Sequence, residues 1–126
     1  MTESDVPIEI VFEKGLILTA SLDRVLGPLL IEEIKSRLPL EGKTAYLRGE
    51  MKITLGISKG NLKPTKVAKR GDIAYMPLGD SLCIYLQDMN TFSPVNILGS
   101  VTSSDDILDN IKNVRRGSQV TLRLKD

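Results

Sequence analysis

Gly71-Asp72-Ile73-Ala74-Tyr75-Met76-Pro77-Leu78-Gly79-Asp80-Ser81-Leu82-Cys83-Ile84-Tyr85-Leu86 holds two short apolar runs, Ile73 to Met76 and Leu82 to Leu86, on either side of a turn. A strand with one face in water places polar residues at every second position. These two runs do not, which fits strands covered on both faces and central to a sheet. Pro77-Leu78-Gly79-Asp80 supplies the turn chemistry between them. A hairpin buried on both sides needs further strands beside and across it.

Those strands are readable in both directions along the chain. Toward the N-terminus, Met51, Ile53, Leu55 and Ile57 alternate with Lys52, Thr54 and Gly56. Before them, Ile8, Ile10 and Phe12 alternate with Glu9, Val11 and Glu13, and Leu16, Leu18, Ala20 and Leu22 do the same after Lys14-Gly15, which makes an opening hairpin. Toward the C-terminus, Val120, Leu122 and Leu124 alternate with Thr121, Arg123 and Lys125. Each of these strands has one wet and one dry face.

Two helices interrupt the strands. The first is expected from about Arg24 to Arg37, with Asp23 as N-cap, Pro28 in the first turn, and Leu26, Leu30, Ile34 and Leu38 recurring every fourth residue. The second has Ser103 and Asp106 in capping-box spacing, Ile107, Leu108 and Ile111 facing inward, and Gly117 as its end. Residues 58–70 carry five cations, turn formers and no acidic residue, and are expected to form a basic surface loop.

A length of 126 residues fits one domain, expected to span 1–126. The 17 Lys+Arg against 16 Asp+Glu leave +1, so no whole-surface field pulls the chain onto nucleic acid or an anionic membrane. No aromatic residue is interleaved among Lys59, Lys63, Lys66, Lys69 and Arg70 for stacking on bases, and nucleic acid is not an expected partner. No apolar run approaches the roughly 20 residues that span a bilayer, and Met1-Thr2-Glu3-Ser4-Asp5 is unlike a basic signal sequence, so the expected location is the cytoplasm. Histidine is absent, which excludes His-dependent hydrolase triads, and a single cysteine, Cys83, supplies neither a disulfide nor a zinc site. No metal or cofactor is expected.

The order hairpin, helix, strands, short helix and closing strand resembles that of the cyclophilins. Pro7 to Leu22, followed by Asp23-Arg24-Val25 entering a helix, is similar to the cyclophilin start, where Asp-Lys-Val-Pro leads into the first helix. Leu98-Gly99-Ser100-Val101, Asp106 to Ile111 and Val120-Thr121-Leu122 resemble the family's Gly-x-Val segment, short helix and closing strand. The stretch from Gly71 to Tyr85 is similar to the Gly-Asp-x-Ala-Tyr-x-Pro-x-Gly segment of small prokaryotic cyclophilin-like proteins of unsettled function, with Met76 where that group often has Trp. The resemblance implies a mainly β fold, a closed barrel of mostly antiparallel strands with two short helices.

It also implies a question about prolyl isomerisation. Rotation about an X-Pro bond faces a barrier of roughly 18–20 kcal/mol, and cyclophilins lower it with an arginine supported by a glutamine beside an aromatic-lined proline pocket. In Lys43-Thr44-Ala45-Tyr46-Leu47-Arg48-Gly49 only Arg48 matches the family's Phe-His-Arg motif, while Leu82 and Ile84 stand where the glutamine and a pocket aromatic belong. The expectation is therefore a peptide or small-molecule groove lined by Arg48, Met51, Tyr75, Met76, Pro77, Leu82 and Ile84, without efficient catalysis. The alternatives are a weak prolyl isomerase with Arg48 as its catalytic donor, and a structural module that forms a homo-oligomer. Asp72 and Asp80 are a further candidate pair, for a cation or a peptide amine, if they converge at one end of the barrel.

Overall fold

The computed structural model describes residues 4–60 and 63–125. In chain order the strands and helices are β1 (Asp5–Val11), β2 (Ile17–Asp23), α1 (Pro28–Arg37), β3 (Leu40–Leu47), β4 (Glu50–Thr54), β5 (Thr65–Ala68), β6 (Asp72–Met76), β7 (Ser81–Tyr85), β8 (Met89–Val101), α2 (Asp105–Asn110) and β9 (Gln119–Leu124). The sheet runs β2-β1-β9-β3-β4-β7-β6-β8, and β8 pairs back onto β2, so eight strands close a barrel. β5 is added outside the ring, on β8. All of these pairings are antiparallel.

Alternation decides which side chains fill the barrel. Val6, Ile8, Ile10 and Phe12, then Leu18, Ala20 and Leu22, point inward from the opening hairpin, and Met51 and Ile53 do so from β4. From β6 and β7 the inward set is Ile73, Tyr75, Leu82 and Ile84. α1 adds Leu30, Ile31 and Ile34, while α2 and the turn after it add Leu108 and Ile111. A smaller cluster of Ala68, Ala74, Met76, Cys83, Tyr85 and Val95 lies on the opposite parity. These residues pack the outer face of β6 and β7 beneath β5 and the first half of β8, which is why both runs read as apolar throughout.

Four local expectations are corrected. α1 starts at Pro28 with Gly27 as its N-cap; Asp23 instead accepts the Val25 N–H at 3.0 Å and stabilises the turn before the helix. The cap of α2 is Ser104, which accepts from the Ile107 N–H, while the Ser103 hydroxyl bonds to Thr19 on β2. Within the expected basic loop, Thr65–Ala68 form a strand, because Val67 and Ala68 find backbone partners in Asn90 and Met89. Asp72 opens β6 and Asp80 lies past its other end, before β7, so the two do not converge; Asp72 accepts the Lys69 N–H and Asp80 the N–H groups of Ile57 and Ser58. Among the described residues no helix is long and apolar enough to cross a membrane.

Candidate functional site

β3 and β4 are joined by a two-residue turn, Arg48-Gly49, with Leu47 paired to Glu50 and Tyr46 to Met51. Both turn residues have positive φ, 50° and 88°, the geometry that matches a hairpin's twist and that usually selects Asn-Gly. Gly49 suits it, and its N–H donates to the Tyr46 hydroxyl at 3.0 Å. Arg48 does not: a branched-off Cβ in the left-handed region costs roughly 1–2 kcal/mol. Its side chain is exposed and makes no ion pair among the described residues.

Beside this turn lies an open groove of about 490 Å³, lined by Leu47, Arg48, Glu50, Lys52, Met89, Asn90 and Phe92. β4 supplies Glu50 and Lys52 because they hold the parity opposite to Met51 and Ile53. The first half of β8 supplies the facing wall. Leu47 is 66% exposed and Phe92 80% exposed, so two large apolar side chains stand uncovered at the rim.

Under the groove the outer face becomes polar and dry. Glu50 pairs across to Tyr85, and Lys52 to Cys83, in the β4–β7 ladder. The Lys52 ammonium sits 3.4 Å from Glu50 Oε1, whereas Glu50 Oε2 and the Tyr85 hydroxyl are buried and make no hydrogen bond among the described residues. Burial pushes the Cys83 thiol up to about 12, with the Glu50 carboxylate adding to the effect. Burial, then Cys83 and Glu50, raise the Tyr85 phenol as well. Cys83 is consequently a protonated, buried thiol at neutral pH and no nucleophile.

The expected groove divides along strand parity. Met51, Tyr75, Leu82 and Ile84 are fully buried inside the barrel, Met76 belongs to the outer cluster, and Pro77 sits in the β6–β7 turn. Their side chains therefore face different ways. Of the expected set, Arg48 lines the groove beside the β3–β4 turn. Glu50 and Lys52 were missed although their alternation with Met51 and Ile53 marks them as outward-facing. Met89, Asn90 and Phe92 carry no local signal, because only the tertiary placement of the first half of β8 brings them there.

Elsewhere the polar candidates are structural. Lys59 meets Glu33 at 3.4 Å, and the Arg70 guanidinium bonds Asp109 at 2.9 Å, Asp105 at 3.2 Å and the Leu86 carbonyl at 2.7 Å, fastening α2 to the strands. Among the described residues no three His, Cys, Asp or Glu side chains group as metal ligands.

The fold is shared with known structures. AF2241, a hypothetical protein from Archaeoglobus fulgidus, superposes with a TM-score of 0.81 at 20% identity, over 99% of this chain and all of that one. McbB, solved in complex with tryptophan, superposes with a TM-score of 0.76 at 16% identity, over 94% of this chain and 44% of its own. No curated protein matches the sequence. The model of the cyclophilin-like family matches residues 6–123, nearly the whole barrel, and the chain belongs to that family.

Proposed function

We propose that this barrel binds a peptide segment or small molecule in the groove beside the Arg48-Gly49 turn, and that it does so without efficient isomerase catalysis. The observation that carries the reading is the groove itself. Its volume of about 490 Å³ lies within the roughly 300–1,000 Å³ of small-molecule sites, and it sets exposed Leu47 and Phe92 around Arg48, Glu50 and Lys52. Apolar walls with a few converging polar groups give both affinity and orientation.

Amide shift mapping with N-acetylated dipeptides ending in an apolar residue, each as the free acid and as the C-terminal amide, tests it. Shifts should concentrate at residues 47–52 and 89–92. Shifts scattered elsewhere, or none, would remove the groove from consideration.

A second reading, weak prolyl isomerisation at Arg48, is favoured by one feature. The Gln87 side chain packs onto Gly49 so closely that a Cβ there would lie 2.6 Å from it, which sets an amide against the residue that follows the arginine. A proline-peptide isomerisation assay on the protein and on Arg48→Ala separates the readings. No acceleration from either supports binding alone; acceleration lost on substitution supports catalysis.

A further inference from the structure

We infer that the ligand of this groove is an apolar monocarboxylate, its carboxylate held by Arg48 and its apolar body lying on Leu47, Met89 and Phe92. The inference rests on the binding reading above and adds the ligand's chemistry. Three ionisable side chains line the groove, Arg48, Glu50 and Lys52, and two of them already form a pair, Lys52 on Glu50 at 3.4 Å. One positive charge is left over. It sits on a guanidinium, whose planar fork matches the two oxygens of a carboxylate.

Charge count narrows the class further. A phosphate monoester brings close to two negative charges to a groove with one unpaired cation. A free amine would have to compete with Lys52 for Glu50 while leaving Arg48 unanswered. A neutral apolar molecule would cover Leu47 and Phe92 but desolvate the guanidinium without return. One negative charge on an apolar body answers both the unpaired cation and the apolar side chains that line the opening.

Two sources share this chemistry: a free aromatic or aliphatic acid, and the C-terminus of a peptide ending in an apolar residue. The chain contains no tryptophan, so the indole of a ligand reports alone in fluorescence. N-acetyl-tryptophan and N-acetyl-tryptophanamide have the same body and differ in the charge. The acid should bind about tenfold tighter, the amount that a charge-assisted hydrogen bond contributes. Arg48→Ala and Arg48→Asn should both reduce the acid to the affinity of the amide. Asn suits the left-handed turn position, so its folding is secure and its thermal melt serves as the control.

Equal affinity for acid and amide would overturn the monocarboxylate while leaving the groove reading intact. So would a preference for the acid that survives both substitutions. If neither probe binds, the inference falls, and the dipeptide mapping decides the groove by itself. Acetyl-Gly-Gly-Trp with a free C-terminus, measured against its amide, identifies the source: tighter binding than N-acetyl-tryptophan assigns a peptide C-terminus, weaker binding a free acid.

Discussion

Tyr75 and Tyr85 are paired-strand neighbours with the same side chain and opposite parity, and their hydroxyls meet opposite fates. Tyr75 points into the barrel from β6; its hydroxyl donates to the Asp80 carboxylate and accepts the Lys59 N–H at 3.1 Å. Burial, reinforced by Asp80, lifts its pKa to about 12, so it stays a donor at any ordinary pH. Tyr85 points outward from β7 into the dry patch beneath the groove, where its hydroxyl makes no hydrogen bond among the described residues. An unpaired buried hydroxyl costs about 1 kcal/mol or more, and a bond to a charged partner is worth about 2 kcal/mol. Tyr75→Phe should therefore lower the stability by about 2 kcal/mol, and Tyr85→Phe, whose hydroxyl has the buried Glu50 carboxylate as its neighbour, should change it by less than about 1 kcal/mol. Paired urea denaturation curves check this, and losses of equal size in both variants would contradict it. A tyrosine on a central strand ordinarily packs in the core with its hydroxyl reaching a rim partner, which describes Tyr75. Nothing local distinguishes Tyr85, because the difference lies in which face the register assigns.

That same ambiguity governs whole strands. β4 declares its faces through Met51 and Ile53 against Glu50 and Lys52, whereas β6 and β7 are apolar on both sides and leave their parity unread. The expected groove consequently collected Tyr75, Leu82 and Ile84 from the inner face while the opening lies on the outer one. β5 escaped notice for another reason: a four-residue strand at the sheet edge, carrying Lys66, has no periodicity to detect, and charge on an edge is what keeps it from pairing further. The segment after β4 depends instead on one carboxylate. Asp80 accepts the N–H groups of Ser58 at 2.9 Å and Ile57 at 3.3 Å, and so ties buried Leu55 and Ile57 to the β6–β7 turn. Burial works to raise its pKa, but the Tyr75 hydroxyl and the N–H groups of Ser58, Ile57 and Gly56 outweigh burial and hold it below its ordinary 3.8. A depressed carboxylate stabilises the fold fully above the unfolded value and loses that contribution as pH falls through the folded one. The stability difference between the protein and Asp80→Asn should thus be constant from neutral pH to about pH 5 and shrink below about pH 4. Glu13, Glu32 and Glu33 are also lowered, by backbone and side-chain bonds to Arg115, to Arg24, and to Arg37 and Lys59, but they are common to both proteins and cancel. A difference that stays constant down to pH 2 would show that Asp80 is not the clamp.

Closure of the barrel is the property that no single element owns. The dry faces of the hairpins can be read from the sequence, but a curled sheet and a closed one have the same alternation, and only the β2–β8 pairing tells them apart. That pairing is short: Ala20 with Val101, Ser21 with Ser100, and Leu22 with Gly99. Gly99 also pairs with Ile73 on β6, next to a register shift in the β6–β8 ladder, so three strands crowd on one residue. A Cβ built there would fall on the Ser21 carbonyl oxygen and within 2.8 Å of Leu22 Cα, atoms of backbone that cannot rotate aside. The Gly-x-Val resemblance marked this position in the sequence, and the physical reason for glycine is the close approach of β2. Gly99→Ala must push β8 away from β2, forfeit seam hydrogen bonds and open the interior beside Ala20 and Leu22. The expected loss is about 3 kcal/mol, the upper range for overpacking, against about 1–2 kcal/mol for Gly15→Ala, where a Cβ meets no atom and only the left-handed φ costs. Hydrogen exchange locates the damage: amides of Ser21, Ser100 and Thr102, which face across the seam, should lose protection first, while those of the β4–β7 ladder, remote from the seam, keep theirs. Uniform loss of protection around the ring would mean that closure and barrel stability are one cooperative unit rather than a seam that opens locally.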